Sequence, residues 1–210
     1  EMCDSDWSSD VCSSDLPRTD RQTVYVGYAG SVLPGRGVEL IADLARRHPE
    51  VRFRIAGDPK EAAARFDVDG PPANVEFVGY LPHGEVASFL AACDVLLAPY
   101  QRQVSIASGF DTARWMSPLK IFEYMAAGRL VLCSDLPALR EVDPHAEALT
   151  FLPPDDTDAW SAALAAAAAD PAHLDTAGRA SHDLVQKRFS WDRRAEALLA
   201  QFVPSDDTAT

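Results

Sequence analysis

The sequence predicts an α/β fold built on a doubly wound parallel sheet. From Thr23 onward, short apolar runs alternate with amphipathic stretches, and their spacing suits successive βαβ units. The chain has 210 residues, of which 47% are hydrophobic and 24% are charged. These values are typical of a globular protein, and the length suits one or two domains.

Six short segments have the apolar character of buried strands. They are Val24–Ala29, Val51–Ala56, Asn74–Val78, Val95–Ala98, Leu130–Cys133 and Ala148–Phe151. Segments with helical periodicity lie between these strands or after them. One example is Val38–Arg47, where Leu40, Ile41 and Leu44 share one face. The other predicted helices are Lys60–Phe66, His83–Ala92, Ser117–Ala127, Asp158–Ala169, Pro171–Arg188 and Trp191–Phe202. One domain over residues 17–203 accounts for all of them, and residues 204–210 form a frayed tail.

Residues 1–16 differ from the rest of the chain. They form a tract rich in Ser, Asp and Cys, with no periodicity and no basic start, so they do not suit a signal peptide. The string DWSSDVCSSDL resembles translated sequencing-adapter sequence. We therefore expect a non-native leader, with a native disordered leader as the alternative.

Charge and cysteine content exclude several classes of function. The net charge of -13 argues against a non-specific nucleic-acid binder, which needs a basic surface. Outside the leader only Cys93 and Cys133 remain, in apolar surroundings that suggest buried thiols in a reducing compartment. Neither a metal site nor a bound cofactor is predicted.

The first loop at the carboxyl edge of the predicted sheet is rich in glycine. It runs from Gly30 to Gly37, between a strand and a helix, where phosphate-binding loops lie in parallel sheets. It approaches a P-loop motif, but Arg36 replaces the lysine and Gly37 replaces the hydroxyl residue that would bind Mg²⁺. The loop therefore offers one arginine that could bind phosphate oxygens, and an ordinary glycine turn remains the alternative.

A second candidate lies at the start of the helix predicted over Ser117–Ala127. Ser117 suits the N-cap and Pro118 the first helical position, which places Lys120 in the first turn. The helix dipole disfavours a cation there unless an anion is bound nearby. Glu123 lies one turn further on the same face and could accept hydrogen bonds from paired hydroxyls. A surface Lys–Glu pair is the alternative interpretation.

The segment MSPLKIFEYMAAGRLVLCSDLPALREV resembles the signature region of bacterial family 4 glycosyltransferases. YAGSVLPGRGVELI resembles the first strand and glycine turn of that family, and FSWDRRAEALL resembles its closing helix. The similarity covers roughly residues 24–202. It implies that the sheet is one Rossmann-like half of a two-domain glycosyltransferase of the GT-B type, namely the carboxyl-terminal, donor-binding half.

The resemblance also implies roles for individual residues. Glu123 matches the second glutamate of the family's E-x7-E element, which binds the donor ribose. Arg36 matches the lysine of the family's glycine turn, which lies on the donor diphosphate, and Lys120 would act with it in catalysis. The residues implied in binding the donor are Gly30, Ser31, Arg36, Gly79, Tyr80, Leu81, Ser117, Pro118, Leu119, Lys120 and Glu123. Among these, Gly79, Tyr80 and Leu81 match the loop that brackets the nucleobase.

Two positions depart from the family pattern. Trp115 stands where the first glutamate of E-x7-E belongs, and Asp111 is a weak substitute for it. Ser31 stands where an arginine is usual, which removes one expected positive charge. These departures keep two alternatives open: a non-catalytic module that binds nucleotide sugars, and a nucleotide-sugar epimerase of similar fold.

The function implied by the resemblance is retaining, metal-independent transfer of a sugar from a UDP- or GDP-linked donor to a glycan or lipid-linked acceptor. Polysaccharide biosynthesis is a fitting role. The acceptor would bind through an amino-terminal domain that is absent from this chain, so the chain alone is expected to be inactive. A cytoplasmic location is expected, and membrane association of the full-length protein is left open.

Overall fold

A computed structural model describes residues 23–63, 66, 70–103 and 119–200. Its strands are β1 (Tyr25–Ala29), β2 (Arg52–Ala56), β3 (Val75–Gly79), β4 (Val95–Ala98), β5 (Leu130–Ser134) and β6 (Leu149–Leu152). Its helices are α1 (Val38–Arg47), α2 (Pro59–Ala63), α3 (His83–Ala91), α4 (Leu119–Ala126), α5 (Pro137–Arg140), α6 (Thr157–Ala169), α7 (Pro171–Phe189) and α8 (Trp191–Ala200). All six predicted strands are present, whereas the four-residue helix α5 was not predicted.

The strands form one parallel sheet in the order β3-β2-β1-β4-β5-β6. The chain leaves β1 toward β2 and β3, then returns to place β4 on the other side of β1. Strand order therefore reverses between β1 and β4. In open parallel sheets, ligands bind outside the carboxyl ends of the strands at such a point.

Alternate residues of each strand enter two separate hydrophobic layers, as the period of two in a strand requires. In β4, Val95 and Leu97 belong to one layer, while Leu96 and Ala98 belong to the other. The first layer contains buried residues of α1 and α6, including Ile41, Leu44, Trp160 and Leu164. The second contains buried residues of α3 and α4, including Leu90, Ile121, Tyr124 and Met125. The predicted doubly wound α/β fold is therefore confirmed.

Within the described ranges, no helix combines enough length with enough apolar character to cross a bilayer.

Candidate functional site

The glycine-rich loop after β1 is hydrogen-bonded to the end of β2 and to the segment that follows β4. Gly30 N donates a hydrogen bond to Ala56 O over 2.9 Å, and Gln101 N donates to Gly35 O over 2.9 Å. Gly37 has a φ of 79°, and a Cβ there would lie 1.8 Å from Pro99 O. Only glycine permits this approach, so Gly37 fixes the loop at the point where strand order reverses.

Helix α4 is joined to the same place by a buried tyrosine. The Tyr124 hydroxyl accepts a hydrogen bond from Ala29 N over 2.8 Å and donates to Ala29 O over 3.2 Å. Tyr124 is fully buried, so this contact is held inside the core. It places the first turn of α4, which contains Lys120, beside the carboxyl end of β1, and Glu123 lies one turn further along the helix.

Lys120 lies over the backbone of the glycine loop and between aromatic rings. Its Nζ is 3.9 Å from the ring centroid of Tyr28 and 5.3 Å from that of Tyr100. A Cβ on Gly30 would come within 2.8 Å of that Nζ. Burial, and then the charge of Arg36, lower the pKa of Lys120 to about 7, whereas Glu123 acts in the opposite direction.

Arg36 approaches the same aromatic ring from the glycine loop. Its Cζ is 5.5 Å from the ring centroid of Tyr100, and its side chain hydrogen-bonds to the Tyr100 hydroxyl. Burial raises the pKa of Tyr100, while the charge and the hydrogen bond of Arg36 lower it. Two cations therefore lie around one buried tyrosine, and the repulsion between them would be relieved by a bound anion.

This cluster can bind a phosphate group by charge and by hydrogen bonding. A guanidinium offers paired donors to phosphate oxygens, and an ammonium offers three. Glu123, which is partly buried, lies close enough to influence both Lys120 and Tyr100 electrostatically. Its carboxylate can accept hydrogen bonds from hydroxyl groups next to a bound phosphate.

The comparisons with known proteins decide the family. A family model described as glycosyl transferase-like matches residues 36–200. The chain belongs to this family. The predicted family membership is thereby confirmed, and the glycine loop from Arg36 onward, α4 and most of the sheet lie within the matched region.

Curated relatives of this glycosyl transferase-like chain are named as sugar-transferring enzymes. The phosphatidyl-myo-inositol mannosyltransferase of Mycolicibacterium smegmatis is 30% identical over 150 residues, which is 70% of this chain and 36% of the relative. A putative teichuronic acid biosynthesis glycosyltransferase of Bacillus subtilis is 27% identical over 119 residues, or 56% of this chain and 28% of the relative. The chain thus spans about a third of the length of these relatives.

Solved structures of similar fold support the same architecture. Sucrose-phosphate synthase from Thermosynechococcus elongatus has a TM-score of 0.69 and 24% identity, covering 90% of this chain and 47% of that chain. Anabaena HepE in complex with UDP and glucose has a TM-score of 0.68 and 18% identity, covering 87% of this chain and 49% of that chain. At these identities the likeness concerns the fold alone, and it agrees with the GT-B-type half that the sequence predicts.

The family's fold brings four of the site residues predicted from the sequence into one cluster. Gly30, Arg36, Lys120 and Glu123 surround the carboxyl end of β1. Leu119 begins α4 as described and is 65% exposed at the rim of the cluster.

Ser31 lies in the same loop, is exposed, and takes part in two local hydrogen bonds. Its Oγ accepts a hydrogen bond from Leu33 N over 3.4 Å, and its carbonyl accepts one from the Tyr28 hydroxyl. These hydrogen bonds give Ser31 a part in the shape of the glycine-rich loop. The prediction that it binds the donor remains untested.

Three predicted donor-binding residues lie further along the same edge. Gly57 N donates to Gly79 O over 2.9 Å, and Gly79 has a φ of 90° at the end of β3. Tyr80, which follows, is 85% exposed, and Leu81 is partly buried. Since β3 is two strands away from β1, this loop is about 10 Å from the cation cluster along the sheet. Ser117 and Pro118, together with Trp115 and Asp111, lie outside the described residues.

Three tyrosines that form the candidate site were not predicted from the sequence. Tyr28 and Tyr100 contact the cations, and Tyr124 positions α4. Aromatic residues close to buried strands are ordinarily interpreted as core residues, and all three tyrosines are buried. Their position in the sequence could have indicated a role in the site, since Tyr28 and Tyr100 lie at the carboxyl ends of the two strands between which the order reverses. Among the described residues, no group of three or more His, Cys, Asp or Glu side chains is arranged to hold a metal ion.

Proposed function

We propose that the chain is the donor-binding domain of a retaining glycosyltransferase that transfers a sugar from a UDP- or GDP-sugar to a glycan or lipid-linked acceptor. The observation that carries the proposal is the pair of cations, Arg36 and Lys120, around Tyr100 at the carboxyl end of β4, the strand next to β1. The name of the mycolicibacterial mannosyltransferase supports a lipid-linked acceptor, and the HepE complex supports a UDP-linked donor.

In this mechanism the diphosphate of the donor binds between the glycine loop and the first turn of α4. Arg36 and Lys120 stabilise the negative charge that develops on the leaving diphosphate as the bond to the sugar breaks. Their positive charges take the role that a divalent metal has in other transferases, so the proposed reaction is metal-independent. Glu123 accepts hydrogen bonds from the ribose hydroxyls, and Gly79, Tyr80 and Leu81 bracket the base.

The remaining proposed donor contacts come from Gly30, Ser31, Leu119 at the start of α4, and Ser117 and Pro118, which precede it in the sequence. The acceptor would bind on an amino-terminal domain of the longer protein. A cytoplasmic location is part of the proposal because nucleotide sugars are supplied there, and membrane association would come through that other domain.

Calorimetric titration of the chain with UDP and GDP tests the donor site. We expect one of the two to bind, and Arg36→Ala or Lys120→Ala to weaken that binding about ten- to a hundredfold, because each removes a charge-assisted contact. Glu123→Gln should weaken nucleotide binding while leaving inorganic pyrophosphate binding unchanged.

Lys187→Ala is the matched control, since Lys187 is an exposed lysine on α7 that pairs only weakly with Asp183, over 3.9 Å. It should leave the affinity unchanged. Binding of neither nucleotide to the wild-type chain, or equal effects of Lys120→Ala and Lys187→Ala, would contradict the proposed site. Nucleotide binding by the longer protein without sugar transfer would favour the non-catalytic module.

A further inference from the structure

We propose that Tyr28 and Tyr100 are positioning residues that form a neutral aromatic cage and hold Lys120 and Arg36 ready for the donor diphosphate. This inference rests on the proposed function, because it concerns the same phosphate site. It assigns a role to two side chains that would otherwise count only as core residues.

Three distances between the cations and the tyrosine rings define the cage. The Nζ of Lys120 lies 3.9 Å from the ring centroid of Tyr28, which is inside the range of a cation–π contact. Tyr100 lies between the two cations, 5.3 Å from the Nζ of Lys120 and 5.5 Å from the Cζ of Arg36. Both tyrosines are buried, at 1% and 4% exposure, so their rings cannot turn away into solvent.

Each ring is also held by its hydroxyl group. The Tyr28 hydroxyl donates a hydrogen bond to Ser31 O in the glycine loop, and the Tyr100 hydroxyl is hydrogen-bonded to Arg36. Gly30 leaves room above the loop, since a Cβ there would come within 2.8 Å of the Nζ of Lys120. The glycine loop and the two tyrosine rings together therefore restrict the position of the Lys120 ammonium group.

The aromatic surroundings of Lys120 have a consequence for anion binding. A buried lysine usually pairs with a carboxylate, but within the described part of the chain Lys120 has no ion pair. A carboxylate on the ammonium would repel an incoming diphosphate and would have to be displaced by it. The face of a tyrosine ring attracts the ammonium form without carrying net charge, so the cage orients Lys120 without a counter-charge that an incoming diphosphate would have to displace.

A double-mutant cycle tests the role of Tyr28. UDP and GDP affinities are measured for the chain with Tyr28→Leu, Tyr28→Phe, Lys120→Met and the Tyr28→Leu/Lys120→Met pair. Tyr28→Leu should lower the diphosphate affinity about 2- to 30-fold, the range of a cation–π contact, and leave affinity for the corresponding nucleoside unchanged. Tyr28→Phe keeps the ring and should stay within about threefold of the wild type. In the Lys120→Met background, Tyr28→Leu should have no further effect.

NMR of lysine side chains supplies a readout that does not depend on nucleotide. The chain has three lysines, and Lys60 and Lys187 serve as internal controls for Lys120. The Hε protons of Lys120 should be shifted upfield by the ring of Tyr28 in the wild type and in Tyr28→Phe, and this shift should be lost in Tyr28→Leu. Tyr100→Leu and Tyr100→Phe provide a second pair of variants if Tyr28→Leu does not fold, as judged by thermal unfolding.

The outcomes separate this inference from the proposed function. An equal loss of diphosphate and nucleoside affinity in the Leu variants, or a full Tyr28→Leu effect in the Lys120→Met background, would overturn the cage while the donor site stands. Failure of the wild-type chain to bind either nucleotide would overturn the proposed function and the cage with it. In that case the NMR shift would report only on how the tyrosine packs.

Discussion

Lys120 is the residue whose charge state links the site to pH. Burial and the nearby Arg36 guanidinium lower its pKa to about 7, so the free chain holds it partly as the neutral amine near neutral pH. In an unfolded chain the pKa of a lysine is about 10.4. Folding therefore disfavours the ammonium form, and this destabilising effect is full below pH 7 and shrinks as pH rises from 7 to about 10.4.

Binding of a diphosphate should be linked to uptake of a proton by Lys120. An adjacent anion raises the pKa of the ammonium, so above pH 7 the complex holds more protons than the free chain. We expect nucleotide affinity to fall as pH rises from 7 to 9, with a slope that approaches tenfold per pH unit. The nucleotide's own terminal phosphate, with a pKa near 6, stays ionised across this range. Titration calorimetry in buffers of different ionisation enthalpy measures the uptake directly.

The control for this pH dependence is Lys120→Arg. A guanidinium remains charged throughout the range, so the variant should bind with little change in affinity between pH 7 and 9. If the wild type and Lys120→Arg lose affinity with the same slope, the proton is taken up elsewhere.

Among the elements, the strands were predictable and the cage was not. Their apolar runs alternate between two hydrophobic layers, as Val95 to Ala98 show, and such a run leaves a clear sequence signal. The proximity of Arg36 and Lys120 was also predictable, because both come shortly after strands whose carboxyl ends share one edge of the sheet.

The role of Tyr28 could not be predicted, since a buried aromatic side chain near the end of a strand has the same sequence signature in a core and in a site. Helix α5 was missed because four residues carry no periodicity.

Helix α7 shows how packing can reverse an intrinsic helix preference. Gly178 lies inside α7, where alanine would ordinarily stabilise the helix by about 1 kcal/mol. Here a Cβ would lie 2.2 Å from Gly128 O, against the turn that precedes β5. We therefore expect Gly178→Ala to lower the free energy of unfolding by about 1–3 kcal/mol through overpacking, as measured by urea denaturation.

Gly84 is the matched control for that change. It lies in the first turn of α3, and a Cβ there would meet nothing within 4 Å. Gly84→Ala should raise the free energy of unfolding by up to about 1 kcal/mol. A stabilising effect of both substitutions would show that α7 can move away from Gly128 without cost.

On the scale of the whole molecule, the candidate donor site lies open at one edge of the sheet. Its rim is open, since Tyr80 is 85% exposed and Leu119 is 65% exposed. The chain spans only 36% of the mycolicibacterial mannosyltransferase, whose name describes transfer to phosphatidyl-myo-inositol. Sugar transfer needs the acceptor hydroxyl held about 3–3.5 Å from the reacting carbon of the sugar, which requires a second binding surface.

We therefore expect the 210-residue chain to bind a nucleotide sugar without turning it over. The measurement is release of UDP or GDP from the corresponding sugar donors in the presence of phosphatidylinositol vesicles, beside calorimetric binding of the same donors. The full-length mycolicibacterial mannosyltransferase, assayed in parallel with UDP-linked and GDP-linked mannose, is the positive control for the vesicles. Binding without release would show that this domain recognises the donor and that acceptor placement needs another surface. Multiple turnovers by the chain alone would show that its own surface positions the acceptor, and would contradict the assignment of this chain to the donor-binding half.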